Sequence, residues 1–165
     1  MSHSIVVMGV SGSGKTTVGE RLAGSLSAEF IDADWLHSRD NLETMAAGHP
    51  LSDEQRVPWL HAVGENLREA REGGRDLVVA CSALKRSYRD ILRSYVADVW
   101  FVFLDASPAL LTERLTTRVH DFMPASLLES QLASLEPLGA DEHGTRVDVT
   151  APLEEIVSSV LSQFR

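Results

Sequence analysis

Gly9-Val10-Ser11-Gly12-Ser13-Gly14-Lys15-Thr16, GVSGSGKT, follows directly on the apolar run Ser4-Ile5-Val6-Val7-Met8. A β-branched apolar run that breaks into glycines and resumes as helix-compatible sequence reads as strand, turn, helix. The stretch fits G-x-x-x-x-G-K-[ST]. Its glycines let successive backbone N–H groups converge on phosphate oxygens at the positive end of a helix. Gly9, Ser11, Gly12, Ser13, Gly14 and Thr17 are therefore expected to line a nucleotide phosphate tail. Lys15 should reach the β- and γ-phosphates, and the Thr16 hydroxyl should ligate Mg²⁺. A glycine-rich turn with no ligand is the competing reading, and the position between strand and helix argues against it. The only lysines are Lys15 and Lys85, so the guanine-reading pattern Asn-Lys-x-Asp is absent. ATP is expected, and a GTPase-type switch is disfavoured.

The rest of the chain must name the phosphate acceptor. Its 165 residues, 44% hydrophobic, suit one domain over residues 1–165. A net charge of −9 argues against a nucleic-acid partner. No apolar run approaches the roughly 18 residues that span a membrane, and the N-terminus lacks the basic region of a signal peptide. The lone Cys81 excludes an internal disulfide and fits a reducing cytoplasm.

Strands are expected near residues 4–9, 28–32, 76–81, 98–104 and 145–149, alternating with helices. DLVVACS and VWFVFLD are continuously apolar, as in strands covered on both faces. Ser52 with Gln55 forms a capping-box pattern that opens a helix ending at Gly73-Gly74. Ser107-Pro108 opens another. The last helix should bury Leu153, Ile156, Val157, Val160, Leu161 and Phe164 on one stripe. This order predicts an α/β fold, a parallel sheet with helices on both faces.

Three clusters fall where strands end, the ligand-binding end of an open α/β sheet. Asp32-Ala33-Asp34 offers one carboxylate for a Mg²⁺ water and another to take a proton from an attacking hydroxyl. Taken alone, such a pattern at a strand end is more often a helix cap or turn. Lys85, Arg86 and Arg89 gather cations after the third strand. If a helix starts at Ala83 or Leu84, Lys85 and Arg89 share a face and repel unless an anion joins them. A solvated basic turn is the alternative. Finally, Arg114 and Arg118 precede His120-Asp121-Phe122 and a new helix at Pro124, the layout of a lid over about 117–135 that swings arginines over the phosphates. An exposed helix corner would look the same. His37, His49, His61 and His143 have no metal-ligand spacing.

Taken together, GVSGSGKT, FIDADWLH, NLETMAAGHPLSDEQRVPWL, VVACSALKRSYRDILR, FMPASLLESQLASLEPLGADE and VDVTAPLEEIV resemble the gluconokinase family along essentially the whole chain. The resemblance implies a five-stranded parallel sheet in order 2-3-1-4-5, like shikimate and adenylate kinases. It implies transfer of the γ-phosphoryl of ATP to the 6-hydroxyl of D-gluconate with Mg²⁺, and a homodimer that no sequence feature shows. It places Lys15, Asp34 and Arg118 in catalysis, Thr16 and Asp32 on Mg²⁺, and Arg114, Arg118 and Pro152 around the nucleotide. Asp34, His37, Lys85, Arg86, Arg89, His120 and Gln131 fall to gluconate. An anionic acceptor beside a triphosphate needs such cations, since unit charges about 4 Å apart interact by about 4 kcal/mol at an effective dielectric near 20. The lid departs from the family's R-K-G-H-F by reading Arg118-Val119-His120-Asp121-Phe122. Val119 takes the lysine position, and His120 is the candidate replacement for the displaced histidine. A shikimate-like or other sugar-acid kinase is the alternative acceptor class, and an ATPase or switch the alternative outside it.

Overall fold

The computed structural model describes residues 2–117 and 125–164. Five parallel strands, β1 (Ser4–Met8), β2 (Glu29–Asp32), β3 (Leu77–Ala80), β4 (Trp100–Asp105) and β5 (Gly144–Asp148), lie in the order β2-β3-β1-β4-β5. Helices α1 (Lys15–Leu26), α2 (Arg39–Ala46), α3 (Asp53–Glu72), α4 (Arg86–Tyr95), α5 (Pro108–Thr117), α6 (Ala125–Ser134) and α7 (Leu153–Leu161) connect or follow them. The strand order and element sequence are those expected.

The strands form because both of their faces are covered. Side chains alternate across a strand, so Val6 and Met8 enter one core while Ile5 and Val7 enter the other. The first core packs Trp59, Leu60, Val63 and Leu67 of α3 and Leu92 of α4 against Val79, Phe101 and Phe103. The second packs Val18 and Leu22 of α1 and Ile156, Val157 and Val160 of α7 against Val78, Val102 and Leu104. The helix starts use the expected chemistry. Ser52 Oγ accepts from Gln55 N–H at 3.1 Å while Gln55 Oε1 accepts from Ser52 N–H at 2.8 Å. Ser107 Oγ accepts from Leu110 N–H at 3.2 Å at the start of α5. Among the described residues, no helix is long and apolar enough to cross a membrane. Cys81 lies fully buried just past β3, and burial pushes its thiol up to about 12.

One boundary differs. Helix α4 begins at Arg86, not at Ala83 or Leu84. Ala83 sits at φ 42, in the left-handed region, and Lys85 is extended at φ −97 and ψ 147, so neither can start a right-handed helix.

Candidate active site

The loop after β1 is shaped by where its carbonyls go. The Val10 carbonyl accepts from Ser13 N–H at 3.2 Å, Ser13 Oγ at 2.7 Å and Lys15 Nζ at 3.1 Å. The Gly12 carbonyl accepts from Arg114 Nη1 at 3.0 Å. The Gly9, Ser11 and Ser13 N–H groups also donate to acceptors of the chain, so the anion-binding end of the loop is the first turn of α1. Gly14 holds the left-handed conformation at φ 99 that lets α1 start there. At Gly9 a Cβ would come within 2.8 Å of Ser13 Oγ and 2.9 Å of the Leu104 carbonyl, so the close approach itself requires glycine.

A cleft of about 780 Å³ opens at the carboxyl ends of β1, β2 and β3. Ser11 and Lys15 reach it from the phosphate loop, Asp32, Asp34 and His37 from the segment after β2, and Ser82 from the turn after β3. Arg56 and Trp59 of α3 and Gln131 of α6 complete its polar and aromatic wall. Trp35, 68% exposed, stands at the apolar side with Leu42 and Met45. Asp32 does two things. Its Oδ1 accepts from Asp34 N–H at 2.9 Å, the capping reading, and its Oδ2 accepts from Thr16 Oγ1 at 3.1 Å. The hydroxyl and carboxylate expected on Mg²⁺ are therefore already neighbours, and both are hard oxygen donors that suit that ion. Gln131 Oε1 accepts from Ser11 N–H at 2.7 Å, so α6 is joined to the phosphate loop.

His37 stacks on Trp59 with ring centroids 4.2 Å apart, and its Nδ1 lies 3.4 Å from Asn41 Nδ2. Burial, and then the Arg56 charge, lower His37 to about 4, so the ring is neutral near pH 7. Trp59 in turn donates from Nε1 to the Ala33 carbonyl at 2.7 Å, tying α3 to the Asp32–Asp34 turn.

The basic cluster after β3 is arranged differently from the expectation. Lys85, Arg86 and Arg89 do not line the cleft; each meets a carboxylate of the chain itself. Lys85 Nζ lies 3.0 Å from Asp53 Oδ1. Arg86 forms a two-pronged pair with Asp141, Nη1 to Oδ1 at 2.7 Å. Arg89 is 0% exposed and donates from Nε to Glu142 Oε1 at 2.8 Å. Burial works to raise Glu142, yet the Arg89 and Gly139 hydrogen bonds outweigh it and hold its carboxyl below the usual value. The anion that relieves like-charge repulsion is supplied by the protein, so that repulsion no longer argues for a ligand at Arg86 or Arg89.

Arg56 is the cation that sequence reasoning missed. Its Nε donates to the Leu51 carbonyl at 3.3 Å, and among the described residues it has no ion-pair partner. Nothing in its local sequence marks it, because it stands in the first turns of an ordinary capped helix. Of the nucleotide residues, Arg114 lies on the phosphate loop, Thr17 is exposed in the first turn of α1, and Pro152 caps α7 after β5. Arg118, Val119, His120 and Asp121 lie outside the described residues.

Comparison with known proteins agrees with this geometry. Residues 5–138 match the family model described as AAA domain. A gluconokinase of Gluconobacter oxydans is 45% identical over 161 residues, 98% of this chain and 90% of the relative. The crystal structure of a gluconokinase from Sinorhizobium meliloti superposes with a TM-score of 0.88 at 48% identity, covering 97% of this chain and 90% of that one. An unliganded sugar kinase from Janibacter sp. gives a TM-score of 0.96 at 43% identity, with 99% and 95% covered. Identity at this level over nearly the full length of each relative, on a shared sheet and phosphate loop, means that the chain belongs to the gluconokinase family of P-loop kinases.

Proposed function

We propose that the protein transfers the γ-phosphoryl group of ATP to the 6-hydroxyl of D-gluconate, giving 6-phospho-D-gluconate and ADP. The observation that carries the reading is that Lys15 of the phosphate loop, Asp34 and Arg56 line one and the same cleft. The acceptor oxygen bonds to the γ-phosphorus as the bond to the ADP oxygen breaks, and Asp34 accepts the hydroxyl proton. Lys15 and the loop N–H groups hold the phosphates as charge shifts onto the leaving oxygen. Thr16 and Asp32 would hold Mg²⁺, which supplies charge neutralisation to the phosphate tail. Arg118 is assigned to the transferring phosphoryl, Arg114 and Pro152 to the nucleotide side, and His120 to the acceptor.

Gluconate presents a carboxylate and a row of hydroxyls. Arg56 is assigned to the carboxylate, because it lines the cleft and, among the described residues, forms no ion pair with a carboxylate of the chain. Neutral His37, Ser82 and Gln131 suit the hydroxyls, which need both donors and acceptors. The lone buried thiol suits a reducing compartment, and the reaction is assigned to the cytoplasm.

The test is a coupled ADP-release assay with gluconate, shikimate, AMP or buffer alone. Mg²⁺-dependent release stimulated by gluconate is expected. Release no faster with gluconate than with buffer would sink the reading, and faster turnover of shikimate or AMP would reassign the acceptor.

A further inference from the structure

The Arg89 and Glu142 side chains are both fully withdrawn from water, and the chemistry above makes no use of them. A buried ion pair is weak evidence for stability, since apolar residues of similar volume often serve as well. Its hydrogen bonds show what else it does. Arg89 Nη1 donates to the Ala83 carbonyl at 2.8 Å and to the Leu84 carbonyl at 3.2 Å. Its Nη2 donates to the Pro137 carbonyl at 3.2 Å and to Glu142 Oε2 at 3.2 Å. One guanidinium thus ties the turn after β3 to the segment that follows α6.

Both tied segments lead into the cleft. Ala83 is buried in a left-handed conformation that its Cβ disfavours, and such geometry persists only where the surroundings enforce it. Its neighbour Ser82 lines the cleft, and the Ser82 carbonyl accepts from Gly9 N–H of the phosphate loop at 3.3 Å. On the other side, Glu136 N–H donates to the Leu84 carbonyl at 2.8 Å, two residues beyond the end of α6. That helix carries Leu127, Ser130 and Gln131 to the lining of the cleft.

We propose that Arg89, held by Glu142, is a positioning residue for phosphoryl transfer. It fixes the strained Ser82–Ala83 turn and the root of α6 at one separation, so that Ser82, Gln131 and the phosphate loop meet the acceptor in register. The proposal rests on the kinase reading above. Errors of about 1 Å in the placement of reacting groups can cost about 10²-fold in rate.

The test compares Glu142→Gln, Arg89→Lys and the apolar double variant Arg89→Met/Glu142→Leu with the wild type. Each is measured for thermal midpoint, kcat, both KM values and amide exchange across residues 125–134. The double variant should melt near the wild type yet lose about 10- to 100-fold in kcat, with ATP KM changed less than about twofold and faster exchange in α6. Arg89→Lys keeps the charge without the fork and should not restore kcat. Wild-type kcat in a folded double variant, or rescue by Arg89→Lys, would overturn the proposal. So would losses of kcat that only track the thermal midpoint. If the double variant does not fold, Glu142→Gln, which keeps the shape, is read by the same split. Failure of the kinase reading would show first, as absent gluconate-stimulated turnover in the wild type, and the exchange measurement needs no acceptor.

Discussion

At Arg56 the guanidinium meets the cleft with a backbone partner at Leu51, whereas Lys85 spends its charge on Asp53 outside it. A hydrogen bond to a charged group contributes about 1.5–3 kcal/mol, which corresponds to about 10- to 100-fold in affinity. Arg56→Leu should therefore raise the gluconate KM by about that factor and leave the ATP KM nearly unchanged. Lys85→Met should change neither by more than about threefold, because exposed pairs contribute about 0–1 kcal/mol. Steady-state kinetics with each substrate varied in turn decides, and the reverse pattern would return the carboxylate to Lys85. The contrast shows what local sequence carries. GVSGSGKT is legible because all of its chemistry lies within one turn. The roles of Arg86 and Arg89 depend on Asp141 and Glu142, more than fifty positions downstream, and no local pattern displays that pairing. Arg56 was illegible for a different reason: no local pattern distinguishes it from any other arginine in the first turns of a capped helix.

Elements were read more reliably than individual charges. The strand order comes from the family resemblance, whereas the alternation of strands and helices follows from periodicity and caps, which act over a few residues. The start of α4 does not, since the tertiary ties on Ala83 override the helical propensity of Ala-Leu-Lys. β5 shows a further constraint that composition hides. Gly144 pairs with Phe101, and a Cβ there would lie 2.3 Å from the Phe101 carbonyl. That oxygen belongs to β4, which is held between β1 and β5. Gly144→Ala should cost about 1–3 kcal/mol, read as a lower denaturant midpoint at unchanged slope. An unchanged midpoint would mean that the β4–β5 edge adjusts freely. Gly74, beside which a Cβ meets nothing within 4 Å, is no control, because its φ of 68 strains any side chain. Gly24, with open space and no positive φ, is the suitable one.

Across the whole molecule the acid response should have two stages. His37 is lowered from 6.5 to about 4 by burial and by Arg56, so the unfolded chain binds its proton first. Stability contributed by neutral His37 is complete above pH 6.5 and is lost as pH falls toward 4. Asp141, held down to about 2 by its hydrogen bonds to Arg86 and its own backbone, keeps its contribution to lower pH and yields only in the second stage. Thermal midpoints of wild type and His37→Gln, measured from pH 7 to 4.5, should converge as pH falls. Parallel curves would mean that His37 titrates normally. Just past β3 lies Cys81, whose thiol is sealed from water and held protonated. To a maleimide or a disulfide reagent, the native chain therefore behaves as if it had no cysteine. A single Cys placed at exposed Val57 or Leu42 could be given a fluorophore without deleting the native one. The wild-type molecule is its own background for a label placed beside the cleft.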